Sequence, residues 1–124
     1  MSLQGLFLVI FAAASTMVSN LMLREGIRRA GGFKLSVSSF ISNITRLLQQ
    51  PLFDVGLVFY AAAALVWFRV ISIEDLSTSY PILVGLTFVL VTFGAITLFH
   101  EPCSLLKIIG LAIILFGIIL TFRG

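Results

Sequence analysis

Charged side chains are scarce in this sequence. Only 10% of the 124 residues are Asp, Glu, Lys or Arg, while 60% are hydrophobic, and soluble domains average about 25% charged residues. A water-soluble fold of this length cannot hide so much apolar surface, which excludes a soluble domain. The sequence also has a single cysteine, Cys103, so a disulfide within the chain is excluded as well.

Four long apolar stretches are present, each close to the roughly 20 helical residues that cross a bilayer. They lie at residues 3–23, 52–71, 80–99 and 104–122. We predict that each forms a transmembrane helix. Pro81 is expected in the first turn of the third helix, where proline is tolerated.

The segment LSVSSFISNITRLLQQ, residues 35–50, has apolar residues on one helical face and polar residues on the other. It is too polar to span, and we predict an amphipathic helix lying in the membrane interface. The alternative is a membrane-embedded start of the second spanning helix. The expected fold class is an all-α membrane protein, one domain over residues 1–124, with four transmembrane helices and an amphipathic interfacial helix between the first and second.

Positive charges are distributed unevenly between the predicted connections. The first and third connections carry six of them: Arg24, Arg28, Arg29, Lys34, Arg46 and Lys107. Only Arg69 and Arg123 lie on the opposite side. Because positively charged connections tend to stay in the cytoplasm, we predict a multi-pass protein with both termini on the outer side.

Three motifs in the second half carry a family resemblance. STSYP opens the third predicted helix, HEP (residues 100–102) closes it, and GLAIILFGI lies in the fourth. Together they resemble the small four-helix members of the drug/metabolite transporter superfamily, which are EamA-like. HEP is similar to the undecaprenyl-phosphate-aminoarabinose flippase subunits, while Gly110 and Gly117 resemble the dimer helix of the small multidrug resistance family. The resemblance covers all four spans and is looser in the first half.

The first helix departs from the small multidrug pattern, which has a glutamate where this sequence has Ser15 and an aromatic residue where it has Leu83. A proton-coupled exporter needs a buried carboxylate with a raised pKa. This helix offers hydroxyls and an amide instead. A neutral polar groove suits a polyprenyl-phosphate-linked sugar, so the resemblance implies a translocase (flippase), or a flippase subunit, for such a lipid in the bacterial inner membrane.

The expected site has two parts. The substrate groove is predicted to contain Ser15, Thr16, Ser19, Asn20, Tyr80 and Glu101. Phosphate binding is predicted at Arg24, Arg28 and Arg29, because guanidinium groups bind phosphate through paired hydrogen bonds. The alternatives are that the first-helix residues serve helix packing, that the arginines set topology, and that Glu101 pairs with Lys107. Gly110 and Gly117 either form a dimer seam or pack within the bundle.

Two other functions stay open: a small-solute or multidrug exporter of the small multidrug resistance type, and a non-transporting accessory subunit of a membrane glycosyltransferase. The sequence shows no catalytic motif, phosphate-binding loop or metal-ligand spacing, so no enzyme, cofactor or metal is expected. No basic aromatic surface for nucleic acid is present either. The expected partners are a membrane lipid and a related small membrane protein or a second copy, because larger transporters are built from inverted repeats.

Overall fold

The protein is described by a computed structural model covering residues 1–124. It contains five helices: α1 (Leu3–Arg29), α2 (Phe40–Leu48), α3 (Pro51–Ile73), α4 (Leu76–Leu98) and α5 (Leu105–Arg123). All except α2 are long and apolar enough to cross a membrane. The chain is therefore a multi-pass membrane protein, and the predicted all-α fold class with four spanning helices is confirmed.

Two spanning helices extend beyond their predicted bounds by a turn or more. α1 continues to Arg29 through a charged segment in which Glu25 accepts hydrogen bonds from Arg28 and Arg29, one turn further on. α4 begins at Leu76, which places Pro81 inside the helix. The prediction that Pro81 occupies the first turn is therefore wrong, because helix formation starts earlier than the apolar run does.

α2 is a separate helix. Gln50 is extended (φ −87°, ψ 118°), which breaks the chain between α2 and α3, and Pro51 then starts α3 at the position where its missing N–H costs nothing. The alternative that this segment begins the second spanning helix is wrong. α2 is shorter than the predicted range 35–50, and the connection before it is closed by Asn43, whose side-chain amide donates to the Lys34 carbonyl oxygen at 2.7 Å. Its place in the membrane interface stays a prediction.

α1 is the central helix of the bundle, because it packs against both α3 and α4. A buried cluster of Val9, Val70 and Ile82 joins these three helices. Close approach of α1 to α3 depends on glycine: a Cβ atom at Gly26 would lie 2.7 Å from the backbone nitrogen of Phe53. α3 and α4 barely contact each other. They leave a groove between them, with α1 as its floor.

α5 packs mainly against α4 and has no buried residue. Its close contact is made by Ile114 and Ile118, which approach Gly85 of α4. Gly110 and Gly117 face open space, since a Cβ atom at either would meet no atom within 4 Å. The prediction that these glycines pack within the bundle is therefore wrong, and the dimer seam stays a prediction.

Candidate functional site

The groove between α1, α3 and α4 forms an open cavity of about 590 Å³. Its floor is formed by Ala12, Thr16 and Asn20 of α1, which follow one another at intervals of four residues and so share one helical face. Tyr60 and Trp67 line the α3 wall. The α4 wall runs from Tyr80 to Thr92 and includes Leu83 and Thr87.

Four polar residues of the first helix were predicted to line this groove, and the structure divides them between two faces. Thr16 and Asn20 line it, together with Tyr80. Ser15 and Ser19 are buried and do not line it. The Ser19 hydroxyl donates to the Gly56 carbonyl oxygen of α3 at 2.7 Å. These two serines therefore pack between helices, as the alternative interpretation has it, and they do not line the groove as predicted.

The two polar groove residues of α1 differ in what they can offer a ligand. The Thr16 hydroxyl donates to the Ala12 carbonyl oxygen of its own helix at 2.8 Å. The Asn20 amide, one turn further on, is not engaged in such a bond and keeps its two donors and its acceptor for the groove. Asn20 is thus the main neutral polar group of the groove floor.

One end of the groove is aromatic. The rings of Trp67 and Tyr80 lie with centroids 5.9 Å apart and planes inclined at 49°, and Tyr60 lies further along the α3 wall. Sequence reasoning missed Tyr60 and Trp67 of α3, and Thr87 and Thr92 of α4, as groove residues. A signal for Thr87 exists, since it follows Tyr80 by seven residues and therefore lies on the same helical face.

The other end of the groove is charged. Arg24, at this end of α1, forms an ion pair with Glu101 in the α4–α5 connection, and its Cζ atom lies 4.8 Å from the centroid of the Phe99 ring. A second cavity of about 340 Å³ is lined by Arg24, Glu101 and Lys107. It shares Phe88, Val91 and Thr92 with the first cavity. The two cavities are therefore parts of one groove.

The connection between α4 and α5 holds Glu101 at this end. His100 has a positive φ of 54°, a left-handed conformation that is uncommon for a residue with a side chain, and it turns the chain just after α4. The Lys107 ammonium group donates to the Pro102 carbonyl oxygen at 3.1 Å. The predicted alternative that Glu101 pairs with Lys107 is therefore wrong, because Arg24 is its partner.

The predicted phosphate-binding arginines are also separated. Arg28 and Arg29 both bond to Glu25, at 2.8 and 3.1 Å, and their side chains are 75% and 58% exposed. Neither lines the groove, and Arg24 is the only one of the three predicted arginines that does. The carboxylate offsets part of their positive charge, and a role for these two arginines in binding phosphate stays a prediction.

Comparisons with known proteins give matches of two kinds. The uncharacterized protein y4nH of Sinorhizobium fredii (strain NBRC 101917 / NGR234) is 29% identical over 119 residues, which cover 96% of this chain and 95% of that protein. No protein-family model and no solved structure matches the chain.

Two further relatives carry a functional name. The probable 4-amino-4-deoxy-L-arabinose-phosphoundecaprenol flippase subunit ArnE of Enterobacter sp. (strain 638) is 37% identical over 65 residues, covering 52% of this chain and 60% of the relative. The corresponding subunit ArnF of Yersinia enterocolitica is 42% identical over 65 residues, covering 51% and 50%. The alignments span about half the length of these subunits. They support a flippase-like role in a membrane and a resemblance to small membrane transporters.

Proposed function

We propose that this protein is a translocase, or a subunit of one, that moves a polyprenyl-phosphate-linked sugar across the bacterial inner membrane. The observation that carries the proposal is the groove beside α1, which is apolar and aromatic with a few neutral polar groups along most of its length and has an excess of positive charge at one end. The partial similarity to flippase subunits supports the same function.

Each part of such a lipid has a chemical counterpart in the groove. A sugar ring packs well against aromatic faces, which Trp67 and Tyr80 supply, and its hydroxyls pair with amide and hydroxyl groups such as those of Asn20 and Thr87. The phosphate needs a cation, and Arg24 lies at the charged end. The polyprenyl tail stays in the surrounding lipid, since the groove opens sideways between α3 and α4.

The floor of the groove also bears on the multidrug alternative. At the height of Thr16 and Asn20 the polar groups are a hydroxyl and an amide, which do not exchange a proton for a cationic drug. This favours a substrate whose own charge lies near the membrane surface. It argues against a lipophilic cation that is exchanged for protons.

The test is transport in liposomes that contain the purified protein together with any subunit that copurifies with it. A polyprenyl-phosphate sugar is added to one leaflet, and its arrival in the other is followed with a membrane-impermeant reagent that modifies the sugar. Asn20→Leu, which removes the free amide at similar volume, is expected to slow transport by about tenfold, the effect of leaving a substrate hydroxyl unpaired.

Thr16→Val is the matched control. It removes a groove hydroxyl that already bonds to its own helix, so its effect on transport should be several times smaller. Both variants should fold, because neither side chain is buried in the core. The proposed function would be refuted if liposomes with the wild-type protein showed lipid movement no faster than that in protein-free liposomes.

A further inference from the structure

The geometry points to an anion site at the charged end of the groove, formed by Arg24 and Lys107, in which Glu101 acts as a counter-ion that an incoming phosphate displaces. The inference rests on the proposed function for the source of the phosphate, which is the headgroup of a polyprenyl phosphate. A free phosphate ion offers the same chemistry, and the two sources are separated by experiment below.

The site has more positive charge and more donors than its single carboxylate uses. Arg24 and Lys107 contribute two positive charges to the cavity against one negative charge from Glu101. Only the Nη1 group of Arg24 bonds to the carboxylate, although a guanidinium carries five N–H donors. Lys107 gives one of its three donors to the Pro102 carbonyl oxygen. A phosphate, with its several acceptor oxygens, can use the donors that remain.

The ion pair is of the kind that exchanges readily. The side chains of Arg24 and Glu101 are 57% and 31% exposed, and pairs with such access to water contribute little to stability. A phosphate can bond to a guanidinium in paired fashion and can carry more charge than a carboxylate. Phe99 lies against the Arg24 guanidinium, so this contact can hold the arginine in place with either anion bound.

The second cation is placed by the local fold. Ser104 caps α5 by accepting a hydrogen bond from the Lys107 backbone N–H at 3.2 Å, which fixes Lys107 in the first turn of the helix. The positive end of the helix dipole adds to the attraction for an anion there. Sequence reasoning treated Lys107 only as a topology signal and as a partner for Glu101, whereas the structure places it in the lining of the cavity that Arg24 also lines.

The experiment measures binding to the purified full chain in lipid nanodiscs. Its probes are undecaprenyl phosphate, undecaprenol (the same lipid without phosphate) and inorganic phosphate. Arg24→Gln and Lys107→Gln are each expected to weaken undecaprenyl phosphate binding by about tenfold, the value of one charge-assisted bond. Glu101→Gln is expected to tighten it by about threefold or more, because the internal competitor is removed. Undecaprenol binding should not respond to any of the three changes.

Lys34→Gln is the matched control. It removes one positive charge from the same end of the molecule, at an exposed side chain outside the cavity, and should leave affinity within about twofold, as expected for a screened surface charge. If Arg24→Gln fails to fold, Lys107→Gln carries the test, since its side chain bonds only to the Pro102 carbonyl oxygen. Glu101→Gln binding no tighter than wild type, or Lys34→Gln weakening binding as much as Lys107→Gln, would overturn the site.

The remaining outcomes separate the two proposals. If inorganic phosphate competes with undecaprenyl phosphate, this supports a site that accepts the free ion. If it does not compete, and the variants still change lipid binding as expected, this supports the headgroup as the ligand. If the binding pattern holds but liposomes show no translocation, the proposed function fails and the anion site stands. If translocation proceeds but the Arg24 and Lys107 variants bind undecaprenyl phosphate as wild type does, the anion site fails alone.

Discussion

The hydroxyl of Ser19 on α1 donates a hydrogen bond to the backbone carbonyl oxygen of Gly56 on α3 at 2.7 Å, and Ser19 is fully buried. The contact joins the two most extensively packed helices of the bundle. Gly56 eases the close approach of the two helices, since a Cβ atom there would lie 3.0 Å from Cγ of Leu23. Ser19 therefore belongs to the scaffold of the groove.

Ser19→Ala is expected to destabilise the protein by about 1 kcal/mol, because the variant loses one buried interhelical hydrogen bond. The measurement is thermal unfolding in detergent. Ser15→Ala is the control, since Ser15 is buried one turn earlier on the same helix but no interhelical bond holds its hydroxyl, so its effect should be smaller. Equal effects of the two substitutions would contradict the assigned role of Ser19.

The glycines of α1 and α5 are expected to respond differently to alanine. Gly26→Ala places a methyl group against the backbone of Phe53, which cannot move aside like a flexible side chain, so α1 and α3 must separate at a cost of about 1–3 kcal/mol. Gly110→Ala meets open space in a single chain and should stabilise α5 slightly through helix propensity. Unfolding of both variants in detergent provides the measurement.

The same pair of variants bears on assembly. If Gly110 lies in a seam between two copies or with a partner, Gly110→Ala should weaken association while leaving the unfolding of the single chain unchanged. Crosslinking in native membranes reads out this effect. A Gly26→Ala protein as stable as wild type would show that α1 and α3 do not approach as closely as the structure has them.

The helices could be predicted from the sequence because length and hydropathy are local properties. Their ends could not be predicted in this way. α1 runs on to Arg29 since the pairing of Glu25 with two arginines stabilises the helix beyond the apolar run. α4 starts before Tyr80 for a related reason: the Asp75 carbonyl oxygen accepts from the Ser79 hydroxyl and so holds the polar first turn. Polar side chains extend a membrane helix where hydropathy alone predicts that it stops.

The candidate site was predicted only in part. Thr16 and Ser19 lie on the same helix with similar polarity, and which of them faces the groove depends on where α3 and α4 pack. The pairing of Arg24 with Glu101 joins residues 77 positions apart, and no spacing rule reaches that far. The pairing is seen only in the folded bundle, in which α3 and α4 both pack against α1.

The N-terminal end of the bundle contains a contact that depends on pH. Glu74 accepts a hydrogen bond from the Ser2 hydroxyl and another from the Ser2 backbone N–H at 3.1 Å. The hydroxyl bond is the main reason why the pKa of the Glu74 carboxyl lies below its usual 4.5, with partial burial opposing it and the backbone bond assisting. Because the folded-state pKa is lowered, this contact stabilises the protein at neutral pH, and its contribution is lost as the pH falls through the folded-state value.

We therefore expect the backbone amides in the first turn of α1 to become less protected against hydrogen exchange as the pH is lowered, but only in the protein that has Glu74. Amide hydrogen exchange rates of residues 3–6 are measured in wild type and in Glu74→Gln. Comparing the two proteins at each pH cancels the intrinsic pH dependence of exchange. The ratio of the two rates should stay constant near neutral pH and change below the usual carboxyl pKa of 4.5. A constant ratio over the whole range would show that Glu74 does not hold this end of α1.

We expect the chain to have one orientation in the membrane, set by the charges at the two ends of the bundle. Six positive residues lie at the end of the bundle where α1 and α4 finish and α3 and α5 begin, against Arg69 and Arg123 at the other end. We expect that charge difference to insert the chain one way, with both termini outside. The only cysteine, Cys103, is exposed at the positive end, so an impermeant maleimide should label it from the cytoplasmic side. In a Cys103→Ser background, Lys34→Cys should react from that side and Gly124→Cys from the outer side.

A single orientation has a consequence for assembly. Two copies inserted the same way cannot form an antiparallel pair, and inverted symmetry is what alternating access uses. We therefore favour a heterodimer with a related small membrane protein of opposite orientation over a homodimer. Equal labelling of each cysteine from both sides would show dual insertion and restore the antiparallel homodimer. One-sided labelling, followed by crosslinking from Gly117→Cys in native membranes, should instead capture a different small membrane protein.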